Sequence, residues 1–247
     1  MKKKEKRRKK LLWILIPSAV VLLAAAAVLV LYFVKVDSFS VKGNLRLSEG
    51  QITELLYPEE EDRRLYKVLY GQLAGLRENQ AFESASVRLS GLTSAVITVE
   101  ESEPAFVVAT DMSVYYYNRY GIRLPEPEHV EVAYPKLAGV RFTRSDLLKK
   151  PAMSPEESAV YEECCLIFRT AALLQLPTDS LFVSDGEFTI SFRKVRVSLG
   201  TSDYMLEKLH EISYQFDHYE GLSGTLHMEA FDPDDPGQSY WFSVDTD

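Results

Sequence analysis

Side chains that do chemistry must converge, and the first candidates here are histidines and carboxylates. His210 and Glu211 are followed by His218, eight positions past the first histidine. On a helix that is more than two turns, too far for two imidazoles to chelate one ion as they do in H-E-x-x-H. The three read instead as the polar face of a helix. His129 and His227 have no partner visible in the sequence. Asp232, Asp234 and Asp235 stand before Gly237, but they lack the ligand spacing of a calcium loop, and Ser243 occupies the place of its closing Glu. A Pro-Asp-Gly turn accounts for them. Arg193-Lys194 reads as a solvated hairpin turn. Cys164 and Cys165 are adjacent, a spacing that closes a disulfide only with strain, and they read as small apolar core residues. No G-x-S-x-G occurs, and no S-x-x-K with its companion motifs. The expectation is therefore a protein that is not an enzyme, with no metal, no cofactor and no small-molecule substrate.

What remains is recognition without bond making. In Tyr115-Tyr116-Tyr117 a strand puts the outer two on one face and Tyr116 on the other, which suits core packing with one tyrosine at the rim. The sharper candidate is the short aromatic stretch Ser239–Val244, with Tyr240, Trp241, Phe242 and Ser243 inside it. Paired with Gly224–Phe231 as a final strand, its outer edge leaves N–H and C=O groups free to template another chain. Trp241 would anchor the register. The competing reading is an edge strand that covers core and binds nothing.

The elements that must position this stretch begin with Leu11–Val34, 24 residues without a charge. As a helix rising about 1.5 Å per residue they span roughly 36 Å, against a hydrocarbon core of about 30 Å. Trp13, Tyr32 and Phe33 lie near its ends, where aromatic rings suit the headgroup level. Residues 2–10 hold eight cations and one anion, which places the N-terminus in the cytoplasm and residues 35–247 outside. A cleaved signal peptide also begins with a basic segment, but its apolar region is usually about 7–15 residues. This one stays apolar past its alanine run, so a retained anchor is expected. Taking the tail's eight cations and one anion from Lys+Arg 28 and Asp+Glu 36 leaves 20 against 35, a balance of −15 outside. Such an exterior is a poor ligand for nucleic acid. Apolar content of 46% suffices for a packed core.

Outside the membrane, Val36–Val41 alternates as a strand. Gly43-Asn44 is a turn. Ser48 caps a helix with Gln51 as its capping-box partner, and Ile52, Leu55 and Leu56 form the apolar face. From Asp62 to Asn79, Leu65, Val68, Leu69, Leu73 and Leu76 recur at helical spacing. Ala85–Leu89 and Ala95–Val99 are strands joined through Ser90-Gly91-Leu92-Thr93. This β-α-α-β-β order predicts one two-layer domain over residues 36–104. In the second half Ala105–Thr110 and Ser113–Tyr117 are strands, followed by a hairpin turn over Asn118–Gly121. A helix opens at Ser154 or Pro155 and runs to Leu176, with Cys164, Phe168, Ala171, Ala172 and Leu174 on its buried face. Strands follow at Ser180–Ser184, Phe188–Arg193 and Val195–Leu199. A helix over Asp203–His218 carries Met205, Leu206, Leu209, Ile212 and Phe216 on one stripe. The final pair is Gly224–Phe231 and Ser239–Val244.

Phe39-Ser40-Val41-Lys42-Gly43-Asn44, Ala85-Ser86-Val87-Arg88-Leu89 and Ile97-Thr98-Val99-Glu100-Glu101-Ser102-Glu103-Pro104 follow one another after a basic tail and one span. In that succession the chain resembles the FtsQ/DivIB family of bacterial division proteins, whose first external module is a POTRA domain. Asn118 to Gly121 resembles the family's aspartate-to-glycine hairpin. Tyr134-Pro135-Lys136-Leu137-Ala138-Gly139 resembles its proline-to-glycine stretch, and Val195–Gly200 its strand before the last helix. Gly91-Leu92 departs from the proline the family often has in that turn. The resemblance implies an α+β protein: a cytoplasmic tail at 1–10, a transmembrane helix at 11–34, a POTRA-like domain at 36–104, a β domain at 105–231 with a mostly antiparallel sheet, and a C-terminal loop and edge strand at 232–247. It implies a divisome scaffold at the septum. The last strand would receive a segment of an FtsB/DivIC-like partner, and FtsL-like single-pass proteins and the septal wall-synthesis complex would be further partners. Phe231 and Trp241 match aromatic positions of that region, so the expected contact residues are Phe231, Ser239, Tyr240, Trp241, Phe242, Ser243 and Val244.

Overall fold

The computed structural model describes residues 2–76, 79–110, 113–127, 133–219, 221–235 and 240–245, with side chains from Ile16 onward. The chain is mixed α+β. It forms two compact units, Met1–Glu101 and Ser102–Asp247.

The first unit opens with helix α1, Lys2–Phe33, which takes the basic tail into the same helix as the apolar run. Its segment Ile16–Phe33 has a mean hydropathy of 2.5 and is long and apolar enough to cross a membrane. Strand β1 (Ser38–Lys42), helix α2 (Glu49–Leu56), a 3-10 turn (Glu60–Arg63), helix α3 (Leu65–Ala74), strand β2 (Phe82–Leu89) and strand β3 (Ser94–Glu101) follow. The sheet order is β1-β3-β2, with β1 parallel and β2 antiparallel to the central strand. Ser48 accepts from the N–H of Gln51, whose side chain returns to the Ser48 backbone, so the capping box forms.

Helix α3 is shorter than its apolar periodicity predicts. Arg64 is extended because Val36 donates to the Arg63 carbonyl at 2.7 Å and Leu65 donates to the Val34 carbonyl at 2.9 Å. The helix starts only after this two-rung ladder and ends at Gly75, at φ 87°. Its buried line is Leu65, Val68 and Gly71, while Leu73 is 77% exposed. The glycine lets α3 approach β2, since a Cβ there would stand 3.1 Å from Leu76 and 3.4 Å from Val87.

Glu101, at the end of β3, is buried. Its carboxylate accepts from the backbone N–H groups of Leu45, Arg46 and Leu47 at 2.9–3.1 Å and from Arg46 Nε at 3.3 Å. Three consecutive amides around one anion fix the turn that leads into α2.

Among the described residues, the second unit holds a nine-stranded sheet of order β12-β11-β10-β9-β8-β7-β4-β5-β6. The strands are β4 (Phe106–Ala109), β5 (Val114–Tyr117), β6 (Arg123–Leu124), β7 (Lys136–Ala138), β8 (Thr178–Ser184), β9 (Glu187–Phe192), β10 (Val195–Gly200), β11 (Gly224–His227) and β12 (Trp241–Val244). The sheet is mixed: β4/β7, β7/β8 and β10/β11 are parallel and the other neighbours antiparallel. Parallel neighbours need a crossover. Helix α4 (Pro155–Leu173) supplies it between β7 and β8, and α5 (Met205–Tyr219) between β10 and β11. Both helices pack into one core with the sheet through Tyr161, Cys164, Cys165, Ile167, Phe168, Leu209 and Ile212.

Asn118 turns the chain between β5 and β6, its side-chain oxygen accepting from Tyr120 and Ile122 N–H at 3.0 and 2.9 Å. Gly121 has φ 75°, and the Tyr161 ring lies where a Cβ would point. Helix α4 is capped by Ser154 with Glu157 and stops at Leu173, short of the predicted Leu176. Gln175 takes φ 57°; its N–H bonds to Ala172 O at 3.1 Å, and that of Leu176 to Ala171 O at 2.9 Å. This is a Schellman ending with glutamine in the usual place of glycine. Ala172, predicted on the buried face, is exposed one position from buried Ala171.

Candidate partner-binding edge

Strand β12 pairs antiparallel with β11, in the register Gly224↔Val244, Thr225↔Ser243, Leu226↔Phe242 and His227↔Trp241. It is the last strand of the nine, and among the described residues no strand pairs with its outer side. Gly224 makes the pairing possible, since a Cβ there would run into the Ser243 carbonyl and stand 2.8 Å from the Phe242 ring. Asp245 pins the far end: its N–H donates to Ser223 O at 3.0 Å, and its carboxylate accepts from Ser223 Oγ at 3.1 Å and Arg196 Nη2 at 3.2 Å.

The predicted contact residues separate into two groups. Phe231 is buried, in a turn after β11 rather than within it, and stacks at 6.4 Å on Tyr240. Tyr240 turns inward, donating to Glu211 Oε1 at 2.8 Å and accepting from the Gln215 amide. Burial and the Glu211 carboxylate raise its phenol to about 12, so it stays protonated. Phe242 is half-buried and stacks on Tyr219 at 5.4 Å. Tyr240 and Phe242 hold the edge to α5, and Phe231 packs on Tyr240. Trp241 and Val244 are 61% and 67% exposed, and Ser243 is half-buried. Ser239 lies outside the described residues.

What supports Trp241 is not visible in the residues around it. The His227 ring lies 3.9 Å from it at 13°, a parallel stack across the β11/β12 pair. His227 Nε2 is 3.1 Å from Ser243 Oγ, and Nδ1 is 3.2 Å from Glu229 Oε1. Burial works against ionisation of Glu229, yet hydrogen bonds from Ser198, its own backbone and His227 outweigh it and lower its carboxyl. Cross-strand register was the signal that could have found the histidine, because it stands directly opposite Trp241. Lys208 was also missed. It is buried, donates to Leu199 O at 2.5 Å, and burial lowers its ammonium pKa against the pull of Asp203 and Glu229.

The other chemical candidates take ordinary places. His210 and His218 are exposed on α5. Asp232 is the hub of a turn, accepting from Asp234 N–H at its carboxylate and from Asp235 N–H at its carbonyl. Arg193 turns between β9 and β10 at φ 54°, its N–H on the Asp179 carboxylate. Cys164 and Cys165 are free and buried, and burial raises both thiols, Cys165 to about 12. Tyr116 and Tyr117 are buried and Tyr115 half-buried. His129 lies outside the described residues.

No protein-family model matches the sequence, and no curated protein matches it.

Proposed function

We propose that this chain is a single-pass, non-enzymatic scaffold of the FtsQ/DivIB type, which holds single-pass partners beside the septal wall-synthesis complex of dividing bacteria. The observation that carries the reading is the outer margin of β12, a terminal strand with an aromatic anchor. Its main-chain groups would form a ladder with an added strand, and Trp241 and Val244, 61% and 67% exposed, would set its register. The occupant is a segment of an FtsB/DivIC-like protein, with an FtsL-like protein alongside. The first unit supports the reading as a POTRA-like module, through its β-α-α-β-β order and its sheet β1-β3-β2. The apolar helix, preceded by cations, would keep the N-terminus cytoplasmic and both units outside. Confinement to one membrane plane raises the effective concentration of partners, so single contacts need not be tight.

Depletion in the native bacterium tests this. Filamentous cells with unconstricted septa are the expected outcome. Normal division with altered envelope chemistry would refute the scaffold and favour a membrane-anchored envelope enzyme. A pull-down with residues 35–247 should retain a single-pass division protein, and lose it when a peptide of its strand is added in excess.

A further inference from the structure

One end of the first unit carries apolar side chains that its own core does not use. Tyr66, Tyr70 and Leu73 are 37%, 69% and 77% exposed. At about 100° per residue they share one stripe of α3, opposite the buried line of Leu65, Val68 and Gly71. Hydrogen bonds fix where α3 lies. Leu65 at the start of α3 donates to Val34 just after α1, and Val36 donates to Arg63. Near the other end of α3, Gln72 Oε1 accepts from Leu89 N–H at 2.8 Å, and Leu89 is the last residue of β2. Leu89 is level with the start of β1, since it pairs with Ala95 and Ala95 pairs with Phe39. Both ends of α3 therefore lie at the end of the sheet where α1 arrives, and the helix runs across that end. The β2–β3 turn lies there too: Asp37 and Ser38 donate to Thr93 O, and neighbouring Leu92 is 66% exposed.

The stripe continues into α1. Tyr32, in the last turn of α1, stacks on Tyr66 at 5.8 Å and 8°, and the Arg64 guanidinium sits 4.8 Å over the Tyr32 ring. The charges nearby cancel. Lys35, Arg63, Arg64, Lys67 and Arg88 stand against Asp37, Glu59, Glu60, Glu61 and Asp62, with ion pairs Lys35–Glu60 at 2.6 Å, Arg64–Glu61 at 3.6 Å and Lys67–Asp62 at 2.7 Å. A neutral rim of tyrosine and leucine, continuous with an apolar helix of membrane length, has the composition of a headgroup-level contact.

We propose that this rim, Tyr66, Tyr70 and Leu73 on α3 with Leu92 at the hairpin tip, rests in the outer headgroup layer of the bilayer that α1 crosses, so that the first unit is seated on the lipid rather than tethered above it. The inference rests on the membrane-anchor part of the proposed function and on none of its partners. Because the rim is neutral, the seating is independent of anionic lipid and of salt.

The test uses the full chain with one added cysteine, Tyr70→Cys, Leu73→Cys or Leu45→Cys, labelled with an environment-sensitive fluorophore and reconstituted in phosphatidylcholine vesicles. Leu45 is the control, 80% exposed but near Glu101, at the opposite end of the sheet. The buried native thiols are checked for labelling on the parent chain. The expected result is blue-shifted emission at 70 and 73, quenched by headgroup spin-labelled lipid, with neither effect at 45. Replacing a third of the lipid with phosphatidylglycerol, or raising salt to 0.5 M, should leave the quenching unchanged. Equal, weak quenching at all three sites overturns the proposal. Protection of 70 from aqueous iodide without lipid quenching also overturns it, and assigns the rim to a protein. A chain that fails to float with the vesicles refutes the anchor itself, a result distinct from an inserted chain with an unquenched label.

Discussion

Replacing Trp241 with alanine separates binding from folding, because the ring is mostly outside the fold. A buried tryptophan removes about 150–250 Å² from water. With the residue 61% exposed, about 120 Å² of a side chain of about 200 Å² is left for an incoming strand to cover. At about 25 cal/mol per Å² that is about 3 kcal/mol, of which ordering the partner side chains takes back about 1 kcal/mol. The variant should bind an FtsB/DivIC-like segment roughly 30- to 150-fold more weakly. Folding should lose under about 1 kcal/mol, the worth of the stack on His227. Residues 35–247 retain a single tryptophan, since the other of the two is Trp13. Wild-type emission therefore reports the edge directly and should shift to the blue on titration with the partner. Calorimetric titration gives the affinity of both proteins, and urea unfolding gives their stability. Binding within about threefold of wild type in a variant of unchanged stability would refute strand addition at this edge.

Gly224→Ala places a methyl against the Ser243 carbonyl and Phe242 ring, and should cost about 2 kcal/mol of β12 docking. Faster amide exchange confined to residues 240–245, with the partner site lost, is the expected signature. Glu101→Gln leaves one good acceptor where a carboxylate serves three amides, and should lower the urea-unfolding stability of the first unit by about 2–3 kcal/mol. Gln175→Gly relieves a left-handed residue at the end of α4 and should raise stability by about 0.5–1 kcal/mol, seen as a higher Tm. The buried thiols make the second unit sensitive to alkali. Their pKa values are raised in the folded state, so the unfolded chain releases protons from 9.0 upward while the folded chain keeps them. Their contribution is thus complete below pH 9.0 and declines as pH rises toward the folded value of about 12 for Cys165, by up to about 1.4 kcal/mol per pH unit for each thiol. Urea titrations from pH 7 to 11 should show this fall, and Cys165→Ala should flatten it.

What could be read in the sequence was local. The capping box of Ser48 with Gln51 needs only four consecutive residues, and so does the one that Ser154 forms with Glu157, where the sequence reading placed only the helix start. The Asn118–Gly121 turn is set by one amide side chain and one positive φ. The apolar helix shows through composition alone. Where the reading missed, the deciding contact came from far along the chain. Helix α3 starts late because Arg63 and Leu65 bond to the residues after α1, and its buried line includes a glycine that no hydrophobicity pattern favours. The sheet is mostly antiparallel as expected, but its parallel joints β7/β8 and β10/β11 were not legible, because α4 and α5 return the chain in the same direction there. Handing one strand to its neighbour through a helix is a property of topology, not of strand composition.

The same distinction explains the edge. An aromatic strand near the end of the chain was visible, but which aromatics it presents was not. Alternation assigns Tyr240 and Phe242 to one face and Trp241 to the other, and the structure keeps that division. Tyr240 and Phe242 hold β12 down through Glu211, Gln215 and Tyr219 of α5, with Phe231 stacked on Tyr240. A strand fixed in this way can offer its outer main chain without fraying, and Trp241 is held flat by His227 before any partner arrives. That ordering is already met in the free protein, so the cost of binding falls mainly on the incoming segment. Mutations at Tyr240 or Phe242 should therefore weaken partner binding only as far as they loosen β12, whereas Trp241→Ala weakens it with β12 intact. Amide exchange of residues 240–245 in each variant tells the two apart.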